Sequence, residues 1–320
     1  MTPLSRTDVV ITGAASLVSP ARAATSTLAP ARWAGNPARL QRMDRLCALA
    51  LVACDGALCD GSLAPLDASV WNGERTAVVL GTAYGCHPTN EDYYRGLLAG
   101  GPGGASPRLF AYTLPSSPVG EISIHYGIKG PAAAVATGLP AGLDAITAGL
   151  RELFSGRADR VLVAAAEVAT PLLERLLSAQ GNGSTIGHPL ADGSAALLLE
   201  RTAGAAARGA TPRGRILASA ARYAAGARAT AVAEAVRRVL AEADVGPGAI
   251  THVLAGPADA EALRPLGIEA PAHDEAPGTL GAAALIAAAR WLASHASGAG
   301  LALACAGDPE GAGSAVLFQA

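Results

Sequence analysis

Gly127-Ile128-Lys129-Gly130-Pro131, then Ala132-Ala133-Ala134-Val135-Ala136, then Thr137-Gly138-Leu139-Pro140-Ala141-Gly142-Leu143-Asp144-Ala145-Ile146 is the stretch that decides the fold. Gly130 and Pro131 break the chain before a short apolar run of strand length, and Gly138 and Pro140 break it again before a helical pattern. Leu139, Leu143, Ile146, Leu150 and Leu153 recur at steps of four, three, four and three, the spacing of one helix face. The reading is strand, sharp turn, helix. A side chain in such a turn stands at a helix N-terminus, where unpaired N–H groups and the dipole favour negative charge, lower a thiol's pKa and can steady an oxyanion. Leu139 stands in that turn. As a plain buried strand-turn-helix, Leu139 is the first core position of the stripe.

The same alternation runs outward in both directions. Val9–Thr12, Thr76–Leu80, Ala132–Ala136, Arg160–Ala164, Ala195–Leu199, Arg215–Ala218, His252–Ala255, Leu301–Ala304 and Ala315–Phe318 read as strands. Leu40, Met43, Cys47, Leu51 and Cys54 form a second helical stripe, and Val232, Val236, Val239 and Leu240 a third. Unbroken apolar runs between helical segments indicate an α/β architecture with strands buried on both faces.

An internal echo divides the chain. Gly138–Phe154 is followed by Arg160–Ala164 and then by Gly193-Ser194-Ala195 opening an apolar strand; Thr279–Ala293 is followed by Leu301–Ala304 and then by Gly313-Ser314-Ala315 opening another. Duplicated halves are the natural reading, with residues 1–204 as the N-terminal half, 205–320 as the C-terminal half, and both in one compact unit. The stretch Arg201–Arg213, with no helical stripe of its own, reads as their connection.

Composition narrows the classes. The 320 residues carry 24 basic and 26 acidic side chains, a net charge of −2, with the basic residues scattered, so nucleic acid and anionic membranes are not expected partners. Mean hydropathy is +0.32, yet the longest uncharged stretches are broken by His, Ser and Gly and fall short of a membrane span. The first residues hold no basic run followed by an apolar one, which predicts a cytoplasmic chain. Cys47, Cys54, Cys59, Cys86 and Cys305 include no CxxC pair and read as reduced, buried thiols rather than disulfides or metal ligands. Cys86-His87, just after a strand, imitates a thiol with its base, but adjacent residues on an extended segment point apart. His125 and Tyr126 read as a strand end, His188 as solvated, and Gly100–Gly104 as a loop without the Lys-Ser/Thr of a phosphate cradle.

The strand-turn-helix resembles the nucleophile-elbow region of the β-ketoacyl synthases, thiolase-like condensing enzymes, on both flanks of Leu139. Leu80-Gly81-Thr82 with Asn90–Tyr94, Ser106–Pro115, Pro118–Ile124 and Asp192-Gly193 before Ala195–Leu199 are similar to further segments of that family. The resemblance implies an α/β, thiolase-like, five-layer αβαβα fold from two duplicated halves. A working ketosynthase also needs two histidines for decarboxylation and for holding the enolate and oxyanion. After Thr251-His252-Val253-Leu254 the chain reads Ala255–Glu261 where the first should follow, and in Pro277–Ala284 Gly278 stands in place of the second. The glycine-rich C-terminal turn is replaced by Ala304-Cys305-Ala306-Gly307-Asp308-Pro309.

With Leu139 and Gly278 at the degenerate positions, the chain resembles the chain-length factor, or ketosynthase β-subunit, of type II polyketide synthases, and its short length is similar to reducing, polyene-forming versions. That resemblance implies a subunit inactive by itself that pairs with an active ketosynthase, binds no cofactor or metal, and meets substrates carried on the phosphopantetheine of an acyl carrier protein. It further implies that Ala132, Ala133, Ala134, Val135 and Ala136 cross a two-fold interface, and that Tyr112, Leu114, Ser116, Val119 and Val135 line the far end of an acyl tunnel and control chain length. Two other readings remain open: a stand-alone condensing or acyl-transfer enzyme with an unrecognised nucleophile such as Cys86, and a pure scaffold indifferent to Tyr112→Ala or Leu114→Phe.

Overall fold

The computed structural model describes residues 9–20, 37–63, 70–179, 189–273, 276, 278–295, 298 and 300–320; His188, Pro277 and the first eight residues of the chain lie outside them. In chain order the first half comprises β1 (Val9–Pro20), α1 (Pro37–Arg42), α2 (Arg45–Asp60), β2 (Thr76–Gly81), α3 (His87–Gly100), α4 (Pro107–Phe110), α5 (Ser117–Tyr126), β3 (Ala132–Val135), α6 (Ala141–Phe154), β4 (Arg160–Glu167), α7 (Pro171–Ala179) and β5 (Ala191–Arg201). The remainder comprises α8 (Thr202–Ala207), β6 (Gly214–Tyr223), α9 (Arg228–Ala243), β7 (His252–Leu254), α10 (Pro257–Glu261), β8 (Ala272–His273), α11 (Ala283–Ser294), β9 (Leu301–Gly307) and β10 (Ala312–Gln319).

The strands among the described residues form one ten-stranded sheet in the order β3-β2-β4-β5-β1-β6-β10-β9-β7-β8. The order is a repeat read from both ends: β6 to β10 take, in turn, the places of β1 to β5. The halves join where Val10 and Ile11 pair with Arg215 and Gly214. Side chains alternate across each strand, and three cores result. Val78, Leu80, Leu162 and Leu198 face α2 and α5. Val79, Val163, Leu197, Val316 and Phe318 face α6 and α11 between the halves. Leu303, Ala315 and Leu317 face α9. The layers are α, β, α, β, α.

Local chemistry explains the elements that carry the site. Asp44 caps α2 by accepting the N–H groups of Leu46 and Cys47, and α2 is apolar nearly all round because it is buried nearly all round. α5 begins with Pro118 near its N-terminus and ends on Gly127 in the left-handed conformation at φ 62°. This corrects the reading of His125 and Tyr126 as a strand end: they close a helix. Arg201–Arg213 likewise contains the short helix α8, and Gly101–Gly104 forms a 3₁₀ turn. The two-residue strand β8 gave no sequence signal.

Gly81 sets the height of α6 over the sheet. A Cβ there would lie 2.2 Å from Ala141 O and 2.5 Å from its carbonyl carbon. Gly81→Ala is expected to cost about 1–3 kcal/mol in urea unfolding through overpacking against backbone; an unchanged midpoint would mean that the start of α6 is free to shift.

Candidate functional site

β3 delivers the chain to the elbow, and α6 takes it away. Gly138 turns the corner at φ 75°, a conformation that favours glycine. Pro140 precedes the first residue of α6 and supplies no side-chain cap. Thr137 Oγ1 donates to Asp144 Oδ2 at 2.5 Å, and Ser314 Oγ donates to the other oxygen of Asp144, tying the elbow to β10.

Leu139 departs from the stripe that contains it in sequence. Leu143, Ile146, Leu150 and Leu153 join the core between the halves, whereas Leu139 precedes the helix and packs, partly buried, against a small cluster of Ala169, Leu173, Leu177, Leu190 and Leu280. The side chain in the turn is therefore apolar and packed on apolar neighbours. Its backbone N–H donates to Asp308 Oδ2 at 3.1 Å.

Gly278 lies in the turn leading to Leu280 and so borders the same cluster. It sits at φ 78°, and a Cβ would lie 2.1 Å from Pro189 O. No histidine fits on this backbone path. His252, on β7, packs instead against Trp291 in a tilted contact and against His295 edge-to-face, ring centroids 5.7 and 4.9 Å away. Glu167 is the buried carboxylate of this region. It accepts from Thr82 Oγ1 at 3.0 Å and from Ala83 N–H, and burial pushes it up to about 7.

Cys86 and His87 are not on an extended segment: Cys86 is the residue before α3 and His87 begins it. The thiol is buried and donates to Leu114 O at 3.3 Å, and burial, with the charges of Asp44 and Glu167, pushes its pKa far up. His87 Nε2 meets Thr170 Oγ1 at 2.7 Å. The pair has neither the thiolate nor the geometry of a nucleophile and its base.

The residues assigned to a tunnel separate into three environments. Tyr112 and Val119 pack into the core under α2 and α5. Leu114 and Ser116 are exposed, Leu114 by 63%. Val135 leans on the opposite core, between the halves. Tyr112 is held by a network that sequence gave no sign of: its hydroxyl donates to Glu121 Oε1 at 2.8 Å, while Arg39 bridges Glu121 Oε2 at 2.7 Å. Burial and that bond push the phenol up to about 12, so it remains a donor.

β3 is an edge strand of the ten-stranded sheet. Ala132 and Ala133 are exposed, Ala134 and Val135 half-buried, and Ala136 follows the strand, exposed. Elsewhere in the first half the exposed apolar side chains include Tyr94, Leu98, Phe110, Leu114 and Ile124, with Leu98 exposed by 84% and Ile124 by 73%. Among the described residues no group of three or more His, Cys, Asp or Glu converges as metal ligands, and no helix is long and apolar enough to cross a membrane.

Comparison with known proteins matches this architecture. Relatives include the tetracenomycin polyketide synthase ketoacyl synthase alpha subunit of Streptomyces glaucescens, 30% identical over 198 residues, 55% of this chain and 46% of that protein. Another is 3-oxoacyl-[acyl-carrier-protein] synthase 2 of Staphylococcus aureus, 28% identical over 186 residues, 53% of this chain and 45% of that protein. The matched region thus spans less than half the length of these curated relatives. Among solved structures, the ishigamide ketosynthase/chain length factor superimposes with a TM-score of 0.78 at 25% identity, covering 98% of this chain and 99% of that one. A β-ketoacyl synthase from Burkholderia phymatum STM815 has the same fold, with a TM-score of 0.77 at 18% identity, covering 98% and 99%. The elbow, the repeated strand order and the family model for the β-ketoacyl synthase N-terminal domain, which matches residues 10–205, agree: the chain belongs to the β-ketoacyl synthase family.

Proposed function

We propose that this chain is the non-catalytic chain-length-factor subunit of a type II polyketide ketosynthase, paired with an active ketosynthase through β3. The observation that carries the reading is Leu139: the strand, turn and helix of an elbow surround an apolar side chain. Gly278, on a path that admits no side chain, supports it. So does the likeness, over nearly the full length of both chains, to a structure described as a ketosynthase/chain length factor.

In this reading the partner supplies the nucleophile and the bases, and decarboxylative condensation of malonyl units carried on an acyl carrier protein takes place there. This chain contributes the far wall of the acyl tunnel. Tyr112, fixed by Glu121 and Arg39, stands as a rigid stop, and the exposed Leu114 projects toward the partner. An apolar lining suits a reduced or polyenic chain better than a poly-β-keto chain, whose carbonyls need polar partners.

Co-expression with a type II ketosynthase from the same organism, followed by intact-complex mass and a condensation assay with malonyl-carrier protein, tests the proposal. A one-to-one complex is expected, with elongation lost when this chain is omitted, retained in Leu139→Ala, and lengthened in Tyr112→Ala. Turnover by the isolated chain would sink the non-catalytic reading, and unchanged product length in Tyr112→Ala would reduce the chain to a scaffold.

A further inference from the structure

Asp308 heads the turn between β9 and β10. Its N–H donates to Ala312 O at 2.8 Å, and Gly311 N–H donates to Asp308 O at 2.9 Å, closing the turn on itself. Its Oδ1 accepts Glu310 N–H at 2.9 Å. That bond fixes the carboxylate plane and leaves Oδ2 to accept the Leu139 N–H at 3.1 Å. Gly138 makes the approach possible, since a Cβ there would lie 2.3 Å from the same oxygen. One carboxylate is thus held by two backbone N–H groups, one from its own turn and one from the elbow 169 residues away.

We propose that Asp308 fills the anion position of the elbow from within, so that the site would stay inert even with a nucleophile restored at position 139. The inference concerns the elbow alone and goes beyond the tunnel role. A helix start offers aimed N–H donors and a favourable field to one anion. Asp308 already uses the Leu139 N–H, which lies two residues before the first residue of α6, and α6 has no side-chain cap of its own. A thioester carbonyl entering the elbow would find that donor engaged. A thiolate at position 139 would stand beside a fixed carboxylate, and like charges disfavour ionisation. Of the other titratable groups among the described residues, only the Arg228 cation acts against this, and it makes no bond to Asp308. Tyr84, in the loop after β2, lies near both Asp308 and Glu167, whose negative charges add to burial in raising its phenol. Asp144 is engaged by Thr137 and Ser314, and Arg228, the cation whose charge acts on Asp308, gives its two side-chain bonds, of 2.8 and 2.7 Å, to Asp259. Leucine is a side chain that tolerates such a neighbour.

The test introduces a thiol by Leu139→Cys in the full chain, alone and combined with Asp308→Asn. Iodoacetamide labelling at position 139, in which the thiolate sulfur displaces iodide, is followed at pH 7.5 by peptide mass. The combined variant is expected to label at least about tenfold faster, the change in thiolate fraction made by one pKa unit. Rates should converge at a pH above both thiol pKa values. Equal rates at pH 7.5, or a difference that persists unchanged on that plateau, would overturn the proposal, the latter because Asp308 would then act by blocking access. Asp308→Ser, which keeps a side-chain acceptor for the Glu310 N–H without the charge, provides the same comparison should Asp308→Asn unfold. Labelling needs no partner, so its failure and failure of the chain-length-factor reading are separate results.

Discussion

Glu200→Ala is expected to cost about 3–5 kcal/mol of stability, a fall in thermal midpoint on the order of 10 °C, larger than any single aliphatic truncation on the surface would produce. Glu200 lies in β5 with its side chain 1% exposed, and Arg208, the residue that follows α8, reaches it with a side chain 8% exposed. Thr12 Oγ1 of β1 donates to Glu200 Oε2 at 2.6 Å, Arg160 of β4 approaches Oε1 at 3.5 Å, and Arg208 Nη1 donates to Gly61 O at 2.7 Å. One carboxylate therefore joins three neighbouring strands, the end of α2 and the helix that leads into the second half. Removing it leaves two guanidinium groups short of their counter-charge in a site that water reaches poorly, and the unpaired charge rather than the lost bond sets the cost. The combined change Glu200→Leu with Arg208→Leu should cost less than Glu200→Ala alone, measured by urea unfolding of all three proteins. A loss below about 1 kcal/mol in Glu200→Ala would show that the network is solvated on opening and carries little.

Much of this framework was legible in the sequence, and the parts that were not share a cause. Strands such as β2 and β4 announce themselves because both faces are buried, which forces unbroken apolar runs. α6 was legible from Leu143, Ile146, Leu150 and Leu153, since a helix wedged between two halves shows its stripe plainly. Ser123 to Tyr126 misled because a short alternation of polar and apolar residues imitates a strand; the helix start at Pro118 and the left-handed Gly127 were the competing signals. At the site, Leu139 and Gly278 could be placed by resemblance. What closes on them could not: Asp308 is distant in sequence, and its role depends on the angle of a turn. Tyr112, Glu121 and Arg39 meet for the same reason, through the packing of α1 and α5.

Under the proposed pairing through β3, Ala134→Pro is expected to weaken the complex with an active ketosynthase by about tenfold to a hundredfold while leaving the isolated chain folded. β3 is paired to β2 on one side: Val78 N–H donates to Pro131 O and Thr82 N–H donates to Val135 O, both at 3.0 Å. Backbone groups alternate along a strand, so the odd-numbered residues face β2, and Ala132, Ala134 and Ala136 turn their N–H and C=O groups away from the sheet. These outward groups are what a second chain would pair with. Proline at 134 deletes one of them and sets a ring where the neighbouring strand must approach, yet costs β3 none of its bonds to β2. A change of about 1.4–2.8 kcal/mol in association corresponds to the stated range. Val135→Pro is the complementary probe: it strikes the side facing β2 and should lower the thermal midpoint of the isolated chain itself. Co-purification of Ala134→Pro at full stoichiometry, with unchanged dissociation on dilution, would move the interface away from β3 and toward the exposed apolar side chains of α3 and α5 alone.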